Sequence, residues 1–423
     1  MTRTKPQSLT QRAKPVKQPA NLLDLISYVM DAPSRRLDGA VIAHLHTGWA
    51  GPDALRKGAR SAHFEFMYTA STLVGREWVF DDTFNATVEV RPFHKSEEAH
   101  SFIQTCLLEP KNLTKQPTFR QYLLQLPDED LLVTIADHSV ADLTSLFHWI
   151  RHQLNVARGQ PPNLQPKTFS PPVLRAHDSP TRKNSNAHAG PSTNLWRKTK
   201  RCSHRRAFES IIIQKTHFQS FLAQHQEFTY NDLLCAAALK AARQWNQKHS
   251  SSTKKLSIWM PINIRQQAFD GFGNGSSRIR VYADQADSFQ LANLSRNIRD
   301  QVRTAKKEGE WFVPSSLKIE ALPDSILFPF LRRYFSRPWV DMGTLPFSHL
   351  EKIAPDEHAG DFEKVIGFEV VGSLHHRHPM GITAITHKSK TTFTCTYDPA
   401  QLSQSDVQDF LSLITEALRE AED

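Results

Sequence analysis

His138 and Asp142, four residues apart, are the pair whose types and spacing could do chemistry. They lie in the run LLVTIADHSVADLTSLFHWI, residues 131–150. An apolar strand ends there, a short loop holds the histidine, and a helix begins at the aspartate. A histidine held between two rigid elements can face a cleft with its backbone fixed. Its ordinary pKa lies near neutral pH, where a general base works. Asp142 could steady the loop through a partner elsewhere. The same residues also fit a structural role. Asp142 suits a helix N-cap, Ser139-x-x-Asp142 resembles a capping box, and a histidine after a strand can be polar surface. Spacing alone leaves both readings open.

The elements around this loop can be read from periodicity. Phe119–Gln125 and Asp130–Ala136 form a strand pair around Pro127-Asp128. Leu143, Leu146, Phe147, Ile150 and Leu154 recur at helical spacing, which predicts an amphipathic helix over Asp142–Val156. Upstream, Val41–Thr47 reads as a strand, Asp53–Phe66 as a helix, and Tyr68–Leu73, Glu77–Phe80 and Ala86–Val90 as short strands. Glu97–Leu108 reads as a helix. Downstream, Phe208–Ile213 and Leu256–Pro261 read as strands. A helix carries Leu233, Leu234, Ala237, Ala238, Ala241, Ala242 and Trp245 on one face, behind an approximate capping box of Thr229 and Asp232. His217–His225, Phe289–Thr304, Ser325–Phe335 and Ser405–Ala421 are further helices. Val365–Leu374, Gly381–Lys388 and Thr391–Tyr397 are strands, the last two a hairpin around Ser389-Lys390. Strands and helices alternate in both halves, so the class is α/β or α+β.

At 423 residues the chain has room for two domains of ordinary size. Residues 1–20 read as a disordered basic tail. Residues 158–205, rich in Pro, Ser, Asn and Lys/Arg, read as a flexible basic linker. The remaining segments, 21–157 and 206–423, are the expected N- and C-terminal subdomains. The net charge of +9 is concentrated in the tail and linker: five Lys/Arg and no acid over 1–20, and ten Lys/Arg against Asp178 over 165–206. That distribution argues against a nucleic-acid-binding face and leaves an acidic carrier protein or a phosphate-bearing co-substrate as other reasons for the excess. No apolar run has the length of a membrane span, and the N-terminus lacks the apolar core of a secretory signal. Cys106, Cys202, Cys235 and Cys395 form no zinc or CxxC spacing, so reduced thiols and a cytoplasmic location are expected.

Three other features carry less. His375, His376 and His378 have no carboxylate or cysteine nearby at ligand spacing, so no metal is expected; a role lining the acceptor side of a cleft fits better. Ile326–Phe335 is apolar and aromatic with two central arginines. It reads as a proline-kinked packing helix, with an acyl channel or membrane contact as the alternatives. Gly271–Gly275 lacks the Lys-Ser/Thr of a phosphate loop.

The segment around His138 resembles the HHxxxDG motif of the chloramphenicol acetyltransferase-like superfamily. That group includes nonribosomal peptide synthetase condensation domains, wax ester synthases and alcohol acetyltransferases. Four other regions match in order. Asp53-Ala54-Leu55-Arg56 is similar to an early helix start, and Pro261-Ile262-Asn263-Ile264-Arg265 to a "PVNLR" strand end. Gly271-Phe272-Gly273-Asn274 is similar to the turn that follows it, and Tyr397-Asp398-Pro399 with Leu402-Ser403 to a late "YDP…LS". Asp137 replaces the first histidine, Leu143 replaces the glycine, and the DFGWG signature is absent.

The resemblance implies two similar subdomains forming a V-shaped pseudo-dimer around a tunnel. A thioester of coenzyme A or of a phosphopantetheinyl acyl carrier protein would enter from one side and a hydroxyl or amine acceptor from the other. It implies His138 as the general base of a direct transfer, Asp142 as a structural partner of Arg265, and no permanently bound cofactor. Ser139 near the motif, Ser348 and Asn263 are candidate oxyanion or tunnel residues. A stand-alone, monomeric acyltransferase is the expectation. The alternatives are a free-standing condensation domain and an inactive homologue that binds a carrier or acyl ligand.

Overall fold

A computed structural model describes residues 16–30, 38–84, 87–109, 112–163, 165, 169–173, 192–203, 205–267, 271–284, 289–308, 322–336, 343–354, 362–375 and 377–422. The first half is built on a five-stranded sheet ordered β12-β2-β7-β6-β5. Its strands are β2 (Asp38–His46), β5 (Val88–Pro92), β6 (Arg120–Gln125), β7 (Glu129–Asp137) and β12 (Val365–Val371). The sheet is antiparallel except where β5 meets β6. The central strand β7 shows why its sequence is a continuous apolar run. Leu132 and Ala136 enter one core, while Leu131, Val133 and Ile135 enter another on the opposite face. Both faces of the strand are covered, so its residues do not alternate with polar ones.

The second half carries a six-stranded sheet, β10-β9-β11-β13-β14-β8. These are β8 (Ala207–Gln214), β9 (Lys255–Asn263), β10 (Ser276–Asp284), β11 (Leu345–Leu350), β13 (Met380–His387) and β14 (Lys390–Tyr397). Both halves repeat one motif. A hairpin runs through a short loop into a helix: β6–β7 into α4 (Leu143–Ala157), and β13–β14 into α9 (Gln404–Arg419). The two-subdomain α/β architecture expected from the sequence is the one observed.

Most elements lie within a few residues of their expected positions. These include α2 (Pro52–Glu65), α3 (Ser96–Leu108), α6 (Tyr230–Lys248), α7 (Leu291–Glu308) and α8 (Asp324–Ser336). The capping box of α6 is complete, with Thr229 and Asp232 bonding each other's backbone N–H groups. Tyr68–Ala70, expected as the start of a strand, lies in a 3-10 turn (Met67–Ala70) before β3 (Ser71–Val74), which pairs with β4 (Glu77–Phe80). The tail reading is corrected at its end. Residues 1–15 lie outside the described residues, but β1 (Lys17–Pro19) adds to the edge of β4, and the Phe80 N–H donates to the Val16 carbonyl at 3.0 Å. This contact is made by backbone groups, so no side-chain pattern announces it.

The boundary between the halves is crossed at several places. The core of the first half includes Phe272, Leu327 and Leu331 of α8, and Phe362, Val365, Phe368 and Val370, all from beyond residue 205. The segment read as a linker is packed at both ends. Phe169 meets Tyr68 edge-on at 4.8 Å, and Leu195 is buried in the second core. Residues 174–191 lie outside the described residues.

Candidate active site

α4 starts at Asp142 because its carboxylate caps the helix, accepting from the Ser145 N–H at 3.0 Å. The same group faces the second half of the chain. Arg265, fully buried, donates Nη1 to Asp142 Oδ2 at 2.8 Å and Nη2 to Oδ1 at 2.9 Å. The Gly275 N–H and the Ser276 hydroxyl add bonds to Oδ2 at 2.9 and 2.7 Å. Burial alone would raise the Asp142 pKa; the Arg265 charge, its hydrogen bonds and those from Ser145 and Ser276 outweigh it and hold the carboxyl at about 2. The guanidinium also reaches Ser145 Oγ and the Gly273 carbonyl, each at 2.9 Å. Asn263 Oδ1 accepts from the Arg265 N–H at 3.0 Å. The fit leaves no room for a side chain at 275, where a Cβ would lie 2.4 Å from Arg265 Cζ.

His138 follows β7, half-buried, in the loop this ion pair anchors. Its Nδ1 lies 3.2 Å from Asn274 Oδ1. Asn274 Nδ2 donates to the carbonyls of His138 and Ser139 at 2.9 and 3.0 Å and to Asp24 Oδ1 at 2.9 Å. Asp24 sits on α1 (Leu22–Met30). Burial pushes its carboxyl up to about 6, against the pull of donors from Asn274, Trp78 and Asn21. Asp137, in place of a first histidine, makes the turn: its Oδ1 accepts from the Ser139 N–H at 2.7 Å and from the Ser139 hydroxyl. Ser139 was expected as an oxyanion donor, but its donors are committed to Asp137 and it does not line the cavity.

His138 opens on a cavity of about 490 Å³ between the two halves. The first half lines it with apolar Leu23, Ile26, Val41, Ala141 and Leu146 among others, and β10, β11 and β13 bring the polar Ser277, Arg278, Ser348 and Thr383. Asn263 and Ser348 both line the cavity, and the Ser348 hydroxyl has no hydrogen-bond partner among the described residues. The Arg278 guanidinium lies 3.8 Å from the centroid of the Trp259 ring, and burial pushes its pKa down to about 9. His349, whose Nε2 lies 2.9 Å from Thr386 Oγ1, is pushed by burial to about 4 and is neutral.

His375 and His378 also line the cavity, beyond the end of β12 at Val371, and the His378 N–H bonds the His375 carbonyl at 2.9 Å. His376 lies outside the described residues. No group of three metal-ligating side chains occurs among the described residues. α8 is a packing helix. Leu327 and Leu331 are buried and Ile326 and Phe330 exposed, and none of them lines the cavity. No helix among the described residues is long and apolar enough to cross a membrane.

The sequence reading missed three site residues: Asp24, Asn274 as a side chain, and Ser145. Two signals were present. Asn21-Leu-Leu-Asp24 has capping-box spacing, and the structure shows the reciprocal bonds. Ser276–Asp284 alternates as a strand should, with Ile279, Val281 and Ala283 buried. For Ser145 we find no signal.

The sequence matches no known family description and no curated protein. Its fold is shared with solved structures. A trichothecene 15-O-acetyltransferase from Fusarium sporotrichioides matches with a TM-score of 0.72 over 97% of this chain and 96% of its own, at 14% identity. The first condensation domain of the CDA synthetase matches at 0.68, over 96% and 97%, at 11% identity. A wax ester synthase/diacylglycerol acyltransferase from Marinobacter aquaeolei VT8 matches at 0.59, over 95% and 98%, at 15% identity. Likeness at these identities concerns the fold: the chain has the chloramphenicol acetyltransferase-like fold that its motifs implied.

Proposed function

We propose that this chain is an acyltransferase, moving an acyl group from a thioester of coenzyme A or of a phosphopantetheinyl carrier protein to a hydroxyl or amine acceptor. The observation that carries the reading is the state of His138. Its Nδ1 is engaged by the side-chain amide oxygen of Asn274, Oδ1, and its Nε2 has no protein partner among the described residues of a cavity that both halves enclose. An imidazole held this way is a base at Nε2. It takes the proton of the acceptor as the acceptor's oxygen or nitrogen attacks the thioester carbon. The tetrahedral oxyanion then collapses, the C–S bond breaks, and the leaving thiolate receives that proton from His138. General-base assistance of this kind contributes about 100- to 10,000-fold, and holding both reactants in one cavity contributes a further large factor.

Asp142 exchanges no proton in this scheme, because its saturated, buried ion pair keeps it ionised. The donor we assign to the oxyanion is Ser348, a hydroxyl in the cavity wall without another partner among the described residues. Ser348→Ala is expected to lower kcat about 100-fold, with KM little changed. An unaltered kcat removes Ser348 from the mechanism.

The neighbours agree with this class of chemistry, since two of the three are named as an O-acetyltransferase and an acyltransferase and the third as a condensation domain. The test is thiol release from a panel of acyl-coenzyme A and acyl-carrier thioesters, each offered alcohols and amines. Release that depends on an acceptor supports the proposal. Transfer only from carrier thioesters to amines identifies a condensation domain, and no release from any pair identifies a binding protein.

A further inference from the structure

An asparagine amide has two ends of nearly equal size, and its surroundings decide which one faces a neighbour. At Asn274 the NH2 end lies within 3.0 Å of three groups that only accept: Asp24 Oδ1, the His138 carbonyl and the Ser139 carbonyl. Reversing the amide would set its oxygen against all three. Asn274 Oδ1 is therefore the end that faces His138 Nδ1, which must carry the hydrogen for the bond to form.

Two of these acceptors are backbone atoms that any sequence would supply. Asp24 is a chosen side chain, 2% exposed and brought to the site by α1. Its second oxygen accepts from the Asn21 N–H and from Trp78 Nε1–H, each at 3.1 Å. With donors at both oxygens, the position calls for a group that accepts at both ends. An ionised carboxylate does so and a primary amide does not. Asp24 is absent from the cavity lining, so it touches no substrate there.

We infer that Asp24 is a positioning residue of the acyl-transfer site: by accepting from Asn274 Nδ2 it keeps Asn274 Oδ1 on His138 Nδ1, and so holds the imidazole in the tautomer whose Nε2 is the base. The inference rests on the reading of His138 as that base. It predicts a specific failure in Asp24→Asn. Two donors, from Asn21 and Trp78, compete with one, from Asn274, for the single oxygen of the new amide. The new NH2 group then faces Asn274 Nδ2, so only the His138 and Ser139 carbonyls still hold the Asn274 amide and a fraction of the molecules turns it over. In that fraction Asn274 donates to His138 Nδ1, and the proton moves to Nε2, where it blocks the base.

The test is nitrogen NMR of histidine-labelled protein, with His138 assigned by its loss in His138→Ala. In the natural protein His138 is expected to show a protonated Nδ1 and a bare Nε2. In Asp24→Asn it is expected to shift toward the Nε2–H form, with kcat down about 10- to 1,000-fold and KM within about 2-fold. Asn274→Ala, which removes the link itself, carries the same readout if Asp24→Asn does not fold. An unchanged Nδ1–H tautomer in a folded variant overturns the inference even where the natural protein transfers acyl groups. A shifted tautomer in a protein that transfers none leaves the inference standing and overturns the acyl-transfer reading.

Discussion

At Asp142 one carboxylate caps a helix and closes a buried ion pair. The two roles looked like competing readings of the spacing from His138, yet the geometry fulfils both, since a carboxylate has enough lone pairs for an N-cap bond and a bidentate guanidinium. Asp142→Asn preserves the cap and removes the charge, leaving the Arg265 cation buried without its counter-ion. That change is expected to cost about 3–5 kcal/mol, read as a lower denaturant midpoint. Activity falls with it because the loop holding His138 loses its anchor. The pH response has a definite sign. The folded pKa, about 2, lies below the ordinary 3.8, so the stabilisation is present above pH 4 and is lost as pH falls toward 2. Acid titration of the natural protein and of Asp142→Asn should therefore differ below pH 4, with the variant flatter.

Among the elements, those that carry chemistry near a motif were legible, and those fixed by distant partners were not. The β7–loop–α4 unit could be read because its apolar run, helical period and N-cap are local. β1 could not, because its role is backbone pairing with an edge strand. The donation of β12 to the first sheet could not either, because a strand pattern does not say which sheet it joins. Charges at that junction now give it a testable property. His44 on β2 lies 2.9 Å from Glu129 on β7 and 3.5 Å from Glu369 on β12. Burial alone would lower its pKa, but these two carboxylates outweigh it and raise the group from 6.5 to about 9. The stabilisation is full below pH 6.5 and is lost as pH rises through 9. It amounts to about 3 kcal/mol. Equilibrium unfolding at pH 6 and pH 10 should show this loss, and His44→Gln should remove most of the difference.

In the whole molecule, neither half completes the site. The first half supplies His138, Asp142 and Asp24; the second supplies Arg265, Asn274 and the polar wall with Ser348. The β9 strand end and the turn at Gly273–Gly275 therefore act as a clamp on the loop that carries His138. This explains why the motif at Pro261–Arg265 and the one at Gly271–Asn274 are informative only together with the one at His138. Their order was readable in the sequence; their convergence on one carboxylate and one imidazole was not, because it depends on contacts between residues more than 120 positions apart. The claim that these parts form an acyl-transfer site with His138 as its base is tested most directly by kcat/KM for thiol release with the best donor and acceptor pair. His138→Ala should lower it about 100- to 10,000-fold while the thermal transition is kept. Release by folded His138→Ala at the rate of the natural protein would contradict the account.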